Sequence, residues 1–292
     1  MPRVLIAGCG YTGQRLARRL KTEDDATVLA LVASSASAAR LAESEVVDEV
    51  LRADLDGHGA LPAPPTVEQV YYFIPPAPEG RTDPRLARFL NWLAAGNALP
   101  RRILLISTSG VYGDCGGALV DETRPPAPVA DRALRRFDAE QALSAWGEAE
   151  GAETVILRVA GIYGPGRLPV ARLRKGAPMV PESEAPWTNR IHVDDLVTVC
   201  RAAMAHAPAG GLYNVSDGNP GNMTDYFNRV ADALGLPRPP LIPLAEAEGR
   251  LSAGMLSYLR ESRRLDNSRM LSLSGVTLRY PTLGQGLAAS IG

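Results

Sequence analysis

The sequence has few cysteines, almost no lysine and no long apolar run, and each shortage narrows the range of functions. Its three cysteines, Cys9, Cys115 and Cys200, are isolated and odd in number, so they predict neither a disulfide framework nor a metal centre. No uncharged apolar stretch reaches the roughly 20 residues that a membrane-spanning helix requires. Lys21 and Lys175 are the only lysines, so almost all basic charge is arginine.

The chain also lacks an excess of either charge. Its 292 residues include 31 basic and 32 acidic side chains, which gives a formal net charge of −1. Such a balance favours neither nucleic acid nor an anionic membrane surface as a partner. No apolar segment of export length precedes the first predicted strand. We therefore expect a cytoplasmic protein that acts on a small molecule, without a metal, a nucleic acid or a membrane.

The N-terminus carries a glycine turn between a strand and a helix. Residues 4–7 form a short apolar run typical of a strand buried on both faces. Gly8, Gly10 and Gly13 then follow in G-x-G-x-x-G spacing. In such a turn the first glycine permits a tight bend, the second lets a pyrophosphate approach, and the third lets the helix pack closely on the strand. The pyrophosphate would bind at the helix N-terminus. The turn is therefore predicted to bind a dinucleotide through Gly8, Cys9, Gly10, Tyr11, Thr12 and Gly13, with a purely structural turn as the alternative.

Further strand-like runs alternate with helical stretches along the chain. This alternation predicts an α/β fold, a Rossmann-like, doubly wound parallel sheet with a small C-terminal substrate lobe. The expected dinucleotide-binding domain covers 1–165, with 190–235 returning to it, and the smaller lobe covers 166–189 and 236–292. Thr224 is the predicted N-cap of a helix that ends before Gly235. The predicted strands after the first lie at 27–32, 47–51, 67–74, 103–107, 154–159 and 212–216.

Several segments that follow these strands carry motifs in a recognisable order. They are DL at 54–55, STSGVYG at 107–113, VDE at 120–122, LRVAGIYGPG at 157–166, IHVDDL at 191–196 and YNV at 213–215. With the glycine turn, they resemble the extended short-chain dehydrogenase/reductase family, its NAD-dependent epimerase/dehydratase group. The resemblance implies that Asp54 and Leu55 contact the adenine and that Thr108 polarises the substrate oxygen. It also implies a homodimer.

The proton-transfer dyad of that family is missing. The resemblance implies Tyr-x-x-x-Lys on the helix after the fifth strand, where the lysine and the nicotinamide stabilise a tyrosine phenolate. Counted back from Glu140, Arg132 stands at the tyrosine position and Arg136 at the lysine position, and residues 114–162 contain no tyrosine or lysine. Arginine, with a pKa above about 12, has no proton to exchange at neutral pH.

Other residues are candidates for the catalytic and binding roles. Thr108, Tyr112 and Tyr163 follow strand ends that face the expected cleft, although both tyrosines could simply pack against neighbouring loops. The guanidinium group offers a planar fork to a phosphate or carboxylate, so we expect Arg132, Arg136 and Arg190 to bind the substrate, with Arg158 and Arg167 as further candidates. His192 is predicted to have a supporting, hydrogen-bonded role, and Asp194 or Asp195 to cap a helix.

The residues near the expected ribose favour NADP over NAD as cofactor. NAD enzymes usually place an acid at the end of the second strand, where this chain has Ser34 and Ser35, followed by Arg40. These groups would accept a 2′-phosphate, although a loosely held ribose would favour neither form. Ile74 and Pro75 begin a proline-rich run that is expected to form a rigid wall beside the nicotinamide ribose.

Two functions remain open from the sequence. The first is an NAD(P)-dependent, epimerase/dehydratase-like oxidoreductase that acts on a small carbonyl or nucleotide-sugar-type substrate. The second is a non-catalytic, dinucleotide-binding redox sensor or regulatory protein that has kept the cofactor turn and lost the dyad.

Overall fold

The computed structural model describes residues 1–57 and 59–291, and its centre is a seven-stranded sheet. The strands of the molecule are β1 (Arg3–Ala7), β2 (Thr27–Val32), β3 (Glu49–Arg52), β4 (Gln69–Tyr72), β5 (Arg102–Thr108), β6 (Leu119–Val120), β7 (Glu153–Val159), β8 (Gly161–Tyr163), β9 (Trp187–Thr188), β10 (Arg190–His192), β11 (Gly211–Val215), β12 (Gly221–Asn222) and β13 (Arg264–Leu265).

The main sheet is wholly parallel and has the strand order β11-β7-β5-β4-β1-β2-β3. Every strand predicted from the apolar runs belongs to it. Most of these runs are buried along their length, whereas the edge strand β3 is exposed at both ends. The order reverses between β1 and β4, and ligands of doubly wound sheets bind at that switch point, beyond the carboxyl ends of the strands. The predicted Rossmann-like fold is confirmed.

Helices cover both faces of this sheet. They are α1 (Tyr11–Glu23), α2 (Ser35–Glu43), α3 (Pro84–Ala94), α4 (Asp131–Glu150), α5 (Val170–Arg174), α6 (Val193–His206), α7 (Met223–Ala233), α8 (Ala247–Arg250), α9 (Ala253–Leu259), α10 (Ser268–Leu271) and α11 (Leu283–Ile291). Apolar side chains of α1 and α6 form one core with the sheet, and those of α3 and α4 form a second core on the opposite face. No helix in 1–57 or 59–291 is long and apolar enough to cross a membrane.

Two predicted helix caps are wrong. Helix α7 is capped by Asn222, whose side-chain oxygen accepts from the backbone N–H groups of Thr224 and Asp225 at 2.8 and 3.3 Å. The Thr224 hydroxyl instead donates to the Val180 carbonyl. The predicted end of this helix is correct, since Gly235 follows it with a φ of +63°.

Helix α6 is capped by His192 rather than by an aspartate. His192 Nδ1 accepts from the Asp194 N–H at 3.2 Å, which agrees with the supporting role predicted for this histidine. Asp195 accepts from the backbone N–H groups of Arg279 and Tyr280 at 2.7 and 2.9 Å. Its carboxylate therefore holds the segment around Arg279 and Tyr280 against the start of α6.

The smaller elements gather beside the carboxyl ends of the strands. Helix α7 lies in the segment predicted to return to the sheet domain, but its apolar face packs in one cluster with Leu173 of α5 and Leu287 of α11. Two-residue strand β13 pairs with β6, which brings the segment after α9 against the loop that follows β5. We propose on these contacts that α7 belongs to the smaller lobe.

Candidate functional site

The three glycines of the N-terminal turn have the geometry that their spacing predicts. Gly8 has a φ of +90°, and a Cβ there would lie 2.8 Å from the Ile74 nitrogen. A Cβ on Gly13 would lie 3.0 Å from the Gly8 oxygen, which shows how closely α1 approaches β1. Gly10 faces open space, with no heavy atom within 4 Å of its Cβ position among the residues that the structure describes. The turn is therefore tight, closely packed on the helix side and open at its middle glycine.

A cavity of about 570 Å³ lies beyond the ends of β1 to β4. Helix α1 begins at its edge without a side-chain cap, so its first N–H groups are available to an anion. Ten of the predicted cofactor residues line this cavity: Gly8, Cys9, Gly10, Tyr11, Thr12, Gly13, Asp54, Leu55, Ile74 and Pro75.

The structure places Ser37, rather than the predicted Ser34 and Ser35, on the wall of this cavity. The Ser34 hydroxyl is occupied as the N-cap of α2, where it accepts from the Ser37 N–H at 3.2 Å. Arg40 donates to the Ser37 hydroxyl at 3.2 Å. The hydroxyl at the cavity therefore comes from Ser37, one turn after Ser34, and the predicted Arg40 is hydrogen-bonded to it without itself lining the cavity.

Arg85 holds the proline-rich wall in place. Its guanidinium binds both carboxylate oxygens of Asp56 and donates to the Pro75 carbonyl at 2.8 Å. The hydrogen bond from Arg85 lowers the pKa of Asp56. Both residues line the cavity, and sequence reasoning missed them because no family motif contains them.

A second cavity of about 420 Å³ opens beyond the end of β5. It shares Ile106, Ile162, Arg136 and Arg167 with the first cavity, so the two are contiguous. Thr108 lies on its wall, and its Oγ1 accepts from the Gly110 N–H at 3.2 Å. The charged side chains among its described lining residues are one carboxylate and five guanidinium groups: Glu261, Arg132, Arg136, Arg167, Arg190 and Arg263.

The only carboxylate among these lining residues is shared by two arginines. The Glu261 oxygens accept from Arg132 and from Arg263, each at 3.0 Å. By contrast, Arg136 and Arg190 have no carboxylate within 4 Å in 1–57 or 59–291. Arg136 donates to the Ile74 carbonyl at 3.2 Å, and Arg190 to the Asn189 carbonyl at 2.8 Å. Burial lowers the pKa of both guanidinium groups, and both would be stabilised by an anion.

The predicted catalytic tyrosines lie outside both cavities. Tyr112 is 0% exposed, donates to Asn214 Oδ1 at 2.8 Å and packs beneath Arg158. Tyr163 is equally buried, edge-on to His192 and against Gly286. Burial raises the pKa of both phenols. We therefore do not retain either tyrosine as a catalytic candidate. Both are packing residues, the alternative considered from the sequence.

Arg158 is also removed from the anion-binding candidates. It is buried and binds Glu140 through two guanidinium nitrogens, with Nη2 to Oε2 at 2.7 Å. The residues that sequence reasoning missed in the second cavity are Tyr258, Glu261 and Arg263, which come from the C-terminal segment. No cluster of metal-ligating side chains occurs in the part of the chain that the structure describes.

Comparison with known proteins gives three results. The model of the NAD-dependent epimerase/dehydratase family matches residues 4–216. The structure of a functionally unknown conserved protein from Silicibacter pomeroyi is 32% identical, with a TM-score of 0.84 over 99% of this chain and 98% of that one. A UDP-glucuronic acid 4-epimerase from Bacillus cereus in complex with NAD has a TM-score of 0.75 over 99% of this chain and 97% of that one, but at 16% identity it shows the fold alone.

Two curated relatives match over part of their length. Protein YeeZ of Escherichia coli K12 is 30% identical over 189 residues, which are 64% of this chain and 61% of YeeZ. A 3-diazoavenalumate denitrifying reductase from a Streptomyces species is 28% identical over 205 residues, which are 66% of each protein. The chain thus spans less than about two thirds of the length of both relatives.

Proposed function

Because this chain belongs to the NAD-dependent epimerase/dehydratase family, we propose that it is an NAD(P)-dependent oxidoreductase that acts on a small substrate carrying an anionic group. The observation that carries this proposal is the pair of contiguous cavities. One is formed around an open glycine turn, and the other has three guanidinium groups without a carboxylate partner among the described residues, those of Arg136, Arg167 and Arg190.

The first cavity fits a nicotinamide dinucleotide. Gly10 leaves room for the pyrophosphate, and the uncapped start of α1 offers its N–H groups. A bound dinucleotide supplies or accepts a hydride. Ser37 and Arg40 would hold the 2′-phosphate of NADP, since the end of β2 has no carboxylate to repel it. We expect Arg40→Ala to weaken NADPH binding about tenfold, as loss of a phosphate contact does, and to leave the dissociation constant of NADH unchanged.

The second cavity fits the anionic part of a substrate. Arg136 and Arg190 are half-buried and have backbone carbonyls, but no carboxylate in the described part of the chain, as partners, so partial burial disfavours the charge of both. A carboxylate or phosphate between them would offset this effect of burial and would hold the reacting centre near Thr108. Arg132 would contribute less, because Glu261 already neutralises it in part. A nucleotide sugar, or a smaller carbonyl compound with one acidic group, could place its anionic group between these two arginines.

Calorimetry and turnover together test the proposal. Titration with NADPH and NADH should give a dissociation constant in the micromolar range, and carbonyl compounds with a phosphate or carboxylate should be reduced faster than their neutral analogues. Arg190→Gln should raise the KM of the anionic compounds about tenfold or more, as expected for a charge-assisted contact. Arg174→Gln is the matched control, since Arg174 is exposed and lines neither cavity.

A dinucleotide-binding sensor is the second candidate function. The observation that favours it is Arg132 and Arg136 at the two positions where the family carries its dyad. A protein that binds NADPH tightly but oxidises none of it in the presence of any carbonyl compound tested would support the sensor and would contradict the oxidoreductase.

A further inference from the structure

The second cavity contains one side chain that can donate a proton at neutral pH. Apart from its five arginines, the ionisable groups among its described lining residues are Glu261 and Tyr258. Arginine does not deprotonate in proteins. Glu261 is 7% exposed, and each of its oxygens accepts a hydrogen bond from a guanidinium group, so this carboxylate serves as the partner of Arg132 and Arg263. The phenol of Tyr258 remains.

Tyr258 reaches the cavity from α9, whereas the resemblance places the family's dyad on the helix that is α4 here. The Tyr258 side chain is 51% exposed, so water has access to it. The Arg132 guanidinium carbon lies 4.2 Å from the centre of its ring. Arg132 itself is anchored to Glu261 and to the Ser257 carbonyl, the residue before Tyr258. The ring is therefore held against a fixed positive charge.

Arg132 also connects Tyr258 to Thr108. Arg132 Nη1 and Thr108 Oγ1 lie 3.3 and 3.5 Å from the point where a Cβ on Gly110 would stand. Both atoms therefore border the same point beside Gly110, and the guanidinium group that borders it also lies over the Tyr258 ring. A substrate oxygen that approaches Thr108 meets the same group of residues that holds Tyr258.

We propose that Tyr258 transfers the proton in the reaction, with Arg132 as its positioning residue; this assignment rests on the proposed oxidoreductase function. In the direction of reduction, the carbonyl carbon gains a hydride from the reduced nicotinamide dinucleotide, and the electron pair of the C=O π bond moves to oxygen. That oxygen takes the phenol proton to give the alcohol. The phenolate left on Tyr258 is stabilised by the adjacent Arg132 and regains a proton from water. The tyrosine and cation of the family dyad are thus replaced by a tyrosine and cation from two different parts of the chain.

The test compares Tyr258→Phe with Tyr112→Phe. The probes are 4-carboxybenzaldehyde and glyceraldehyde 3-phosphate, with the loss of NADPH followed by absorbance. We expect Tyr258→Phe to lower kcat about 100-fold or more, the usual effect of losing a general acid, with KM and the dissociation constant of NADPH within about twofold of wild type. Tyr112→Phe removes a phenol outside both cavities and should leave kcat within about threefold.

Two further measurements separate proton transfer from a structural effect. Arg132→Leu should also lower kcat, and the double variant with Tyr258→Phe should be no slower than Tyr258→Phe alone, since the arginine acts through the phenol. In the protein without dinucleotide, tetranitromethane should nitrate Tyr258 and spare Tyr112, as judged by peptide mass spectrometry. Saturation with 4-carboxybenzyl alcohol and NADP⁺ should protect Tyr258.

The outcomes are distinguishable. The assignment of Tyr258 is overturned if Tyr258→Phe keeps full turnover, or if the alcohol and NADP⁺ do not protect Tyr258 from nitration. Either result leaves the proposed oxidoreductase function intact. A wild-type protein that fails to bind NADPH, or that binds it and reduces neither probe, overturns the proposed function together with the assignment.

Discussion

At the scale of single residues, Asp217 predicts how the stability of the protein depends on pH. It is 4% exposed; one oxygen accepts from the Asn219 N–H, and the other has no partner in the described part of the chain. Burial raises the pKa of this carboxyl to about 7. The folded protein therefore holds a proton that the unfolded chain releases above about pH 4. The free energy of unfolding should fall by about 1.4 kcal/mol per pH unit between about pH 4 and pH 7 from this group alone.

Urea unfolding of wild type and Asp217→Asn at several pH values measures this effect. The asparagine variant keeps an oxygen for the Asn219 N–H but does not titrate, so its stability should depend less on pH. Its advantage over wild type should grow as the pH rises through that window. Parallel curves for the two proteins would show that Asp217 is already ionised in the folded state at low pH.

Gly8 links backbone conformation to cofactor binding. Its φ of +90° is unfavourable for any residue with a Cβ, and that Cβ would lie 2.8 Å from the Ile74 nitrogen. We expect Gly8→Ala to destabilise the fold by about 1–3 kcal/mol and to weaken dinucleotide binding. Gly235→Ala is the control, because Gly235 also has a positive φ but faces open space among the described residues. Gly235→Ala should lower the free energy of unfolding without changing the dissociation constant of NADPH. Equal losses of NADPH affinity in both variants would contradict the role given to Gly8.

At the scale of elements, the caps show where sequence patterns lose their power. The apolar runs identified all seven strands of the main sheet, because the central strands are buried along nearly their whole length and this leaves a clear apolar signal. A cap depends on which of several neighbouring polar side chains accepts a hydrogen bond from a free N–H group at the start of the helix. Here the acceptors are His192 and Asn222, and not Asp194 and Thr224. These competitions are decided by contacts distant in sequence, such as the one between Thr224 and the Val180 carbonyl.

The cap of α7 can be tested directly. Asn222→Ala should lower the free energy of unfolding by about 1 kcal/mol, because the N–H groups of Thr224 and Asp225 lose their acceptor. Asn222→Asp keeps an oxygen at that place and should cost less. Thermal unfolding followed by circular dichroism would measure both, and an Asn222→Ala variant as stable as wild type would show that the bonds to Asn222 contribute nothing net.

At the scale of the whole molecule, hydrogen bonds join segments that are distant in sequence. The Asn189 side chain bonds to the backbone of Arg263 and Leu265, and Asn214 bonds to the carbonyls of Val120 and Asp266. These contacts explain why the sequence located ten residues that line the first cavity and missed Tyr258, Glu261 and Arg263 at the second. The glycine turn is local, whereas Tyr258 reaches its cavity only through pairings between distant residues.

The same connections predict that the protein unfolds as one unit. Trp187 lies at the second cavity, while Trp92 is on α3 and packs in the core between that helix and the sheet. In the double variant Trp92→Phe, Trp146→Phe, tryptophan fluorescence reports on Trp187 alone. During urea unfolding of this variant, its fluorescence and its far-ultraviolet circular dichroism should change with the same midpoint. Loss of the Trp187 signal at lower urea concentration would show that the smaller lobe unfolds independently.

The missing side chain at Gly110 limits how the second cavity and the proposed proton donor could have evolved. A methyl group there would stand 3.3 Å from Arg132 Nη1, so a larger residue would displace the guanidinium group from its position beside the phenol. Lineages that keep arginine at 132 should therefore keep glycine at 110. Homologues with tyrosine at position 132 need neither glycine at 110 nor an aromatic residue at 258. The residues at positions 110, 132 and 258 should therefore change together among homologues.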